Sequence, residues 1–158
     1  MTPSEILTKA KEIISPPGNW TQHASARDST GDKVIPKSPA AVCWCATGAI
    51  NSFADELKED GTMVSRIQDT SLAIDYLAKS IKLVTEQVPD RLAHDKFRSE
   101  RIIVAFNDTK GRHHEEIVKR FDQAISLAEE GESTLRRHQE ECAKRFYQAI
   151  AKEGELEK

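Results

Sequence analysis

The densest group of side chains capable of chemistry follows a short apolar run in the second half of the chain. It contains Asn107, Asp108, Arg112 and His113, with a second histidine and two glutamates directly after them. A guanidinium and an imidazole near a helix start could bind a phosphate, and His113 could act as an acid–base group. The same residue types also suit a turn, because Asn and Asp hydrogen-bond turn backbone and Gly111 tolerates a positive φ. A binding site and a purely structural turn both fit this pattern.

A second candidate for chemistry is the sequence Cys43-Trp44-Cys45. Zinc sites usually place two cysteines two to four residues apart and add a second pair. On the helix that we predict here, Cys43 and Cys45 would point about 200° apart. We therefore interpret both as packing residues and predict neither metal nor cofactor, while Trp44 joins the turn residues as a binding candidate.

Composition and missing motifs exclude several classes of function. The chain contains no P-loop, no Gly-x-Gly-x-x-Gly and no Gly-x-Ser-x-Gly, which argues against the common kinases and hydrolases, and we assign no catalytic residue. The net charge of -3 lacks the cationic surplus that nucleic-acid binding requires. No run of about 18 apolar residues could span a membrane. Three cysteines and a polar, amphipathic start favour the cytoplasm over an oxidising compartment.

The elements that position these residues are predicted to be mainly helices. Thr2 and Glu5 form a capping-box pattern at the start of an amphipathic helix. Residues 18–38 predict a loop or a small hairpin. Ser38-Pro39 is typical of a helix start, and the apolar spacing after it predicts a second helix that ends at Gly61.

Four further helices follow from the spacing of apolar residues. One covers about 64–85. The run 101–106 fits either a buried strand or a helix, and the lack of other strong strand signals favours the helix. A fifth helix starts near His113 and is interrupted by Gly131, after which a last helix follows.

Two stretches resemble a small domain family of unknown function from bacteria and their phages. Residues 41–50 contain its Trp-Cys-x-x-Gly-Ala type of motif, and residues 104–118 resemble its aromatic-Asn-Asp turn followed by Gly-Arg and a helix start. The resemblance covers about 3–128. This sequence departs from the family pattern at Phe106, where a Trp is usual, and at His113, where a Thr is usual. The resemblance implies a shared fold and no particular activity.

The fold class that we predict is all-α or nearly so. It is a compact multi-helix domain over residues 1–130, with a small hairpin after the first helix and a helical extension over 131–158. From Ile117 onward, apolar and small residues recur at alternating steps of four and three, as in a coiled-coil seam. The extension either folds back on its own domain or docks on another chain. Its interface candidates are Leu135, Cys142, Phe146 and Ile150.

The function that we expect is that of a non-catalytic, small accessory binding protein, of phage or phage-like origin. It would bind a protein partner or self-associate through its last helix, without membrane or nucleic acid. The first alternative is a small-ligand or phosphate-binding domain, or an enzyme, that uses the turn from Asn107 to His113. The second alternative is a component of a virion or another large assembly.

Overall fold

The computed structural model describes residues 1–54, 64–82 and 97–156, with side chains within 1–54, 68–82 and 97–148.

The first helix, α1 (Pro3–Ile14), begins where the sequence predicted. The Thr2 hydroxyl accepts the Glu5 backbone N–H at 3.3 Å, and the Glu5 carboxylate accepts the Thr2 N–H at 3.0 Å. This reciprocal pair is the capping box that the sequence predicted.

A three-stranded antiparallel sheet follows α1. It consists of β1 (Ala26–Arg27), β2 (Lys33–Val34) and β3 (Cys43–Trp44), in the order β2-β1-β3. The turn between β1 and β2 is closed by the Asp28 carboxylate, which accepts two backbone N–H groups, and by Gly31 with φ 89°. The predicted hairpin is therefore confirmed, and a third strand is added to it.

The helix predicted after Ser38-Pro39 is wrong over its first part. Residues 43 and 44 form β3, because they pair with β1 in the register Arg27↔Cys43 and Ala26↔Trp44. The helix α2 (Ala46–Asn51) begins only after Cys45, whose thiol caps it by accepting the Gly48 N–H at 3.3 Å. Trp44 thus lies on a strand, and the angle of about 200° expected between Cys43 and Cys45 on a helix does not describe these two residues. The predicted end at Gly61 lies outside the described residues.

The remaining helices are α3 (Val64–Lys82), α4 (Arg98–Asn107) and α5 (His114–Leu156). The ambiguous run 101–106 is helical, as favoured, with Ile103 fully buried and Val104 42% exposed. The predicted interruption at Gly131 is wrong, because α5 continues through it. A single glycine within a helix costs only about 1 kcal/mol relative to alanine, which the residues around it outweigh.

Packing divides the chain into two units, Met1–Ala128 and Glu129–Lys158. In the first unit, α1 contacts α2 and α3, and α4 contacts α2 and α3. Their apolar faces and the start of α5 share one core, in which Phe121 and Ile117 are almost fully buried. This core holds the end of α4 next to the start of α2, where the candidate site lies.

Candidate functional site

The side chain of Asn107, the last residue of α4, forms a hydrogen-bond network inside the first unit. Its Oδ1 accepts the Trp20 indole N–H at 2.8 Å and the Ala46 backbone N–H at 3.2 Å. Its Nδ2 donates to the Thr21 carbonyl at 3.1 Å and to Asp108 Oδ1 at 2.8 Å. An amide has two acceptor sites and two donor hydrogens, and all four are used here. Asn107 is only 1% exposed and therefore positions its neighbours rather than a ligand.

This network joins the two stretches that carry the resemblance. The Ala46 backbone N–H belongs to the 41–50 stretch, so its bond to Asn107 places that stretch directly beside the turn at Asn107. The segment after α1 contributes equally, since the Gln22 amide donates to the Asn107 carbonyl at 2.6 Å. Thr21 and Gln22 had no motif to indicate this role.

Asp108 and His23 form the most unusual local geometry. Asp108 Oδ1 accepts the His23 backbone N–H at 2.9 Å, and Oδ2 lies 3.5 Å from His23 Nδ1. His23 has φ 61°, in the left-handed region that non-glycine residues seldom adopt. The bond to Asp108 helps to hold this backbone. The only local signal for this conformation is weak, namely that histidine tolerates the region better than most residues.

These two residues line an open cleft of about 410 Å³. The other lining residues are Ala24, Ser25, Cys45, Thr47, Val104 and Asn107. The Cys45 thiol and the Thr47 hydroxyl lie 3.4 Å apart, and both residues are 6% exposed. The cleft therefore offers one carboxylate, one imidazole and small polar groups. Such groups can accept hydrogen bonds from a small polar ligand.

The rest of the polar turn is bonded within the protein. The Arg112 guanidinium stacks on the Phe106 ring at 3.7 Å, donates to the Phe106 carbonyl and pairs with the Glu116 carboxylate. Glu116 also accepts the His113 backbone N–H at 3.0 Å, which forms one half of a capping box at the start of α5. This hydrogen bond is the largest cause of a pKa of Glu116 below its usual value, and the interaction with Arg112 lowers that pKa further. The His113 side chain is exposed.

Of the five binding candidates, the cleft brings together only Asn107 and Asp108. Trp44 donates its indole N–H to the Pro36 carbonyl at 2.9 Å and supports the sheet. Arg112 and His113 are not among the residues that line the cleft. No three His, Cys, Asp or Glu side chains meet as a metal site within residues 1–54, 68–82 and 97–148.

The interface candidates lie on the C-terminal part of α5. Leu135 is 58% exposed, Phe146 is 63% exposed and Cys142 is an exposed free cysteine. Tyr147, which was not among the predicted interface candidates, is 70% exposed and packs edge-on against Phe146 with ring centroids 5.9 Å apart. The side chain of Ile150 lies outside the described residues.

Comparison with known proteins identifies the first unit. A family model matches residues 1–127. The chain belongs to the family of unknown function DUF6197. No curated protein and no solved structure matches the chain. The matched region ends at residue 127, so the exposed residues of α5 from Leu135 onward lie beyond what the family model covers. No helix in the described part of the chain is long and apolar enough to cross a membrane.

Proposed function

We propose that this protein is a non-catalytic accessory binding protein that acts through protein–protein contacts. The supporting observation is the exposed apolar surface of α5, formed by Leu135, Cys142 and Phe146, which we call the α5 stripe. At about 100° per residue, these three side chains lie within about 40° of one another around the helix. Large apolar side chains aligned on one exposed helix face are typical of a surface that binds another protein.

The polar turn supports this proposal because its side chains are already bonded within the domain and are not available to a ligand. The side chains of Asn107 and Arg112 form hydrogen bonds, an ion pair and a ring contact within the domain. A phosphate site needs cationic groups that face the ligand, and the guanidinium of Arg112 already faces Glu116. The turn therefore contributes chiefly to the fold.

The proposal includes a cellular setting. The resemblance to bacterial and phage domains favours a small accessory protein of phage or phage-like origin that works in the host cytoplasm. A place in a virion or another large assembly would use the same α5 stripe.

The test uses the full chain with Leu135→Glu and Phe146→Glu introduced together. A matched control is Ile35→Glu, since Ile35 is also an exposed large apolar residue, at 71%, but lies in the first unit. Crosslinking in the native host followed by mass spectrometry should show one bound protein, either a second copy or another chain. We expect the double variant to lose it and the control to retain it. Unchanged crosslinks in the double variant would refute the proposal.

A second candidate function is the binding of a small polar ligand in the cleft. It is favoured by the unusual backbone of His23, which lies beside the Asp108 carboxylate at the cleft wall. Titration with methylammonium, a hydrogen-bond donor that suits the Asp108 carboxylate, is followed through the backbone amide signals of His23, Thr47 and Asp108, and inorganic phosphate is titrated separately to test the phosphate version. Saturable shifts at millimolar concentration of either probe would support this second function, and flat titrations with both would count against it.

A further inference from the structure

The carboxylate of Asp108 lies at the wall of the cleft, and the fold uses only one of its two oxygens. Oδ1 accepts the His23 backbone N–H at 2.9 Å and the Asn107 Nδ2 group at 2.8 Å. Within the described residues, Oδ2 accepts no hydrogen bond, and its one ion-pair contact there is His23 Nδ1 at 3.5 Å. An ionised carboxylate has about four acceptor positions, so Oδ2 is available to a ligand.

The two bonds to Oδ1 hold this carboxylate in a fixed orientation. One donor belongs to the segment after α1, and the other is the side chain of Asn107, whose own four bonds are all made inside the domain. A binding group that is already ordered loses little entropy when a ligand arrives. Oδ2 is therefore a preorganised acceptor at the cleft wall.

The charges around Asp108 favour a cationic ligand. Its side chain is only 23% exposed, and a partly buried charge is usually paired. Within the described residues, no lysine or arginine lies within ion-pair distance of this carboxylate, since Arg112 pairs with Glu116 instead. The 3.5 Å contact with His23 is longer than a normal hydrogen bond, and the His23 ring is exposed. An anion would add a second negative charge here, whereas an ammonium group supplies the missing cation.

An apolar part of the cleft adjoins the carboxylate. It is formed by Ala24 and by Val104, a large apolar side chain that is exposed on α4. The volume of about 410 Å³ falls within the range of about 300 to 1,000 Å³ that is usual for ligand sites, and it exceeds what a bare ammonium ion needs. A ligand with a short carbon chain next to its ammonium group would cover Val104 and reach Asp108 at the same time.

We propose that the cleft binds an alkylammonium group, whose N–H donors bind Asp108 Oδ2 and whose carbon chain covers Val104. This inference rests on the second candidate function and specifies the class of its ligand. Two sources supply this chemistry, namely a free amine and the lysine side chain of another protein, which carries its ammonium on a four-carbon stem.

The first test compares n-butylammonium with butyrate on the wild-type full chain, because these two probes have similar shapes and opposite charges. The backbone amide signals of His23, Thr47 and Asp108 report binding at constant ionic strength. We expect saturable shifts at millimolar n-butylammonium and none with butyrate. Methylammonium should bind about 3- to 10-fold more weakly, because it lacks most of the carbon chain. Equal or tighter binding of butyrate or phosphate would overturn the inference and leave the second candidate function intact. Flat titrations with every probe would overturn both.

Variants of the full chain test the two contacts separately. Asp108→Asn removes the charge and keeps a carbonyl oxygen for the two N–H groups now on Oδ1, so it should weaken n-butylammonium binding about 10- to 100-fold. The matched control is Glu115→Gln, which removes one exposed carboxylate outside the cleft and should keep the wild-type affinity. Unchanged binding by Asp108→Asn, or equal weakening by both variants, would overturn the inference.

Val104→Ala keeps the inference testable if Asp108→Asn fails to fold, since Val104 is an exposed helix residue and alanine favours helices. This variant should lower the affinity for n-butylammonium towards that for methylammonium and leave methylammonium binding unchanged. An equal loss for both amines, or no loss for either, would contradict the place assigned to the carbon chain.

A second pair of probes separates the two sources of the alkylammonium group. Nα-acetyl-lysine N-methylamide carries the group on a peptide backbone, and its Nε-acetylated form has the same stem without the charge. If the charged form binds more tightly than n-butylammonium, the ligand is a lysine of another protein, and if it binds more weakly, the ligand is a free amine. Both results support the inference. Binding of the acetylated form as tightly as the charged form would overturn it, because the cleft would then not recognise the ammonium charge.

Discussion

Replacement of Asn107 by alanine tests the hydrogen-bond network that joins α4, α2 and the segment after α1. The change removes the acceptor of two donors, the Trp20 indole N–H and the Ala46 backbone N–H. A buried donor without a partner costs about 1 to 3 kcal/mol. Ala46 is 2% exposed and should bear the full cost, whereas Trp20 is half-buried and can regain part of it from water. We expect a loss of about 3 kcal/mol in the free energy of unfolding.

Equilibrium urea denaturation is the suitable assay, because a change in midpoint at constant slope reports stability alone. Lys110→Ala is the control in the same turn, since Lys110 is exposed and should change stability by less than about 0.5 kcal/mol. The expected loss is a large part of the total stability of a domain, which is about 5 to 15 kcal/mol. A loss below about 1 kcal/mol for Asn107→Ala would show that water or a rearranged neighbour replaces the amide, and would refute the role assigned to it.

Three other substitutions test separate parts of the fold. Gly48→Ala would place a Cβ 1.8 Å from the Ser25 carbonyl oxygen, so the backbone must move. Thermal denaturation should show a loss of about 1 to 3 kcal/mol in the free energy of unfolding. An unchanged melting temperature would mean that the backbone moves away from this contact without cost. Phe121→Ala should cost about 3 to 5 kcal/mol, because Phe121 is fully buried in the core, and a loss below about 1 kcal/mol would contradict that placement. The pKa of Glu116 is lowered mainly by the hydrogen bond from the His113 backbone N–H. The charged carboxylate therefore stabilises the fold fully above the pKa that Glu116 has in the unfolded chain. This contribution is lost as the pH falls through the lower pKa of the folded state. The stability advantage of the wild type over Glu116→Gln should therefore shrink in acid, and a difference that is constant with pH would argue against the bond.

Local patterns in the sequence predicted the elements whose causes are local. The capping box at Thr2 fixes the start of α1 through two bonds between residues three apart. In α4, the buried side chains of Ile102, Ile103 and Phe106 recur at helical spacing, which explains why a helix was the better interpretation of this run.

The error at residues 43 and 44 arose because distant residues decide the structure there. These residues become a strand because β1 offers them hydrogen bonds, and no local pattern marks that pairing. The same holds for the site, because the partners of Asn107 include Trp20 and Thr21, and no pattern in the chain links these positions. The cleft is lined by His23, whose backbone N–H bonds to the Asp108 carboxylate 85 positions later in the chain.

The Asn107 network also has a consequence for the order of events during synthesis. Trp20 bonds to a residue 87 positions later in the chain, and Gln22 to one 85 positions later. At about 5 to 20 residues per second, a ribosome needs roughly 4 to 17 seconds to add that length. Until then the indole of Trp20 and the first N–H of α2 lack their acceptor. The hairpin and α2 therefore leave the ribosome able to pack against α1, but their hydrogen bonds to the end of α4 can form only after that later segment has been made.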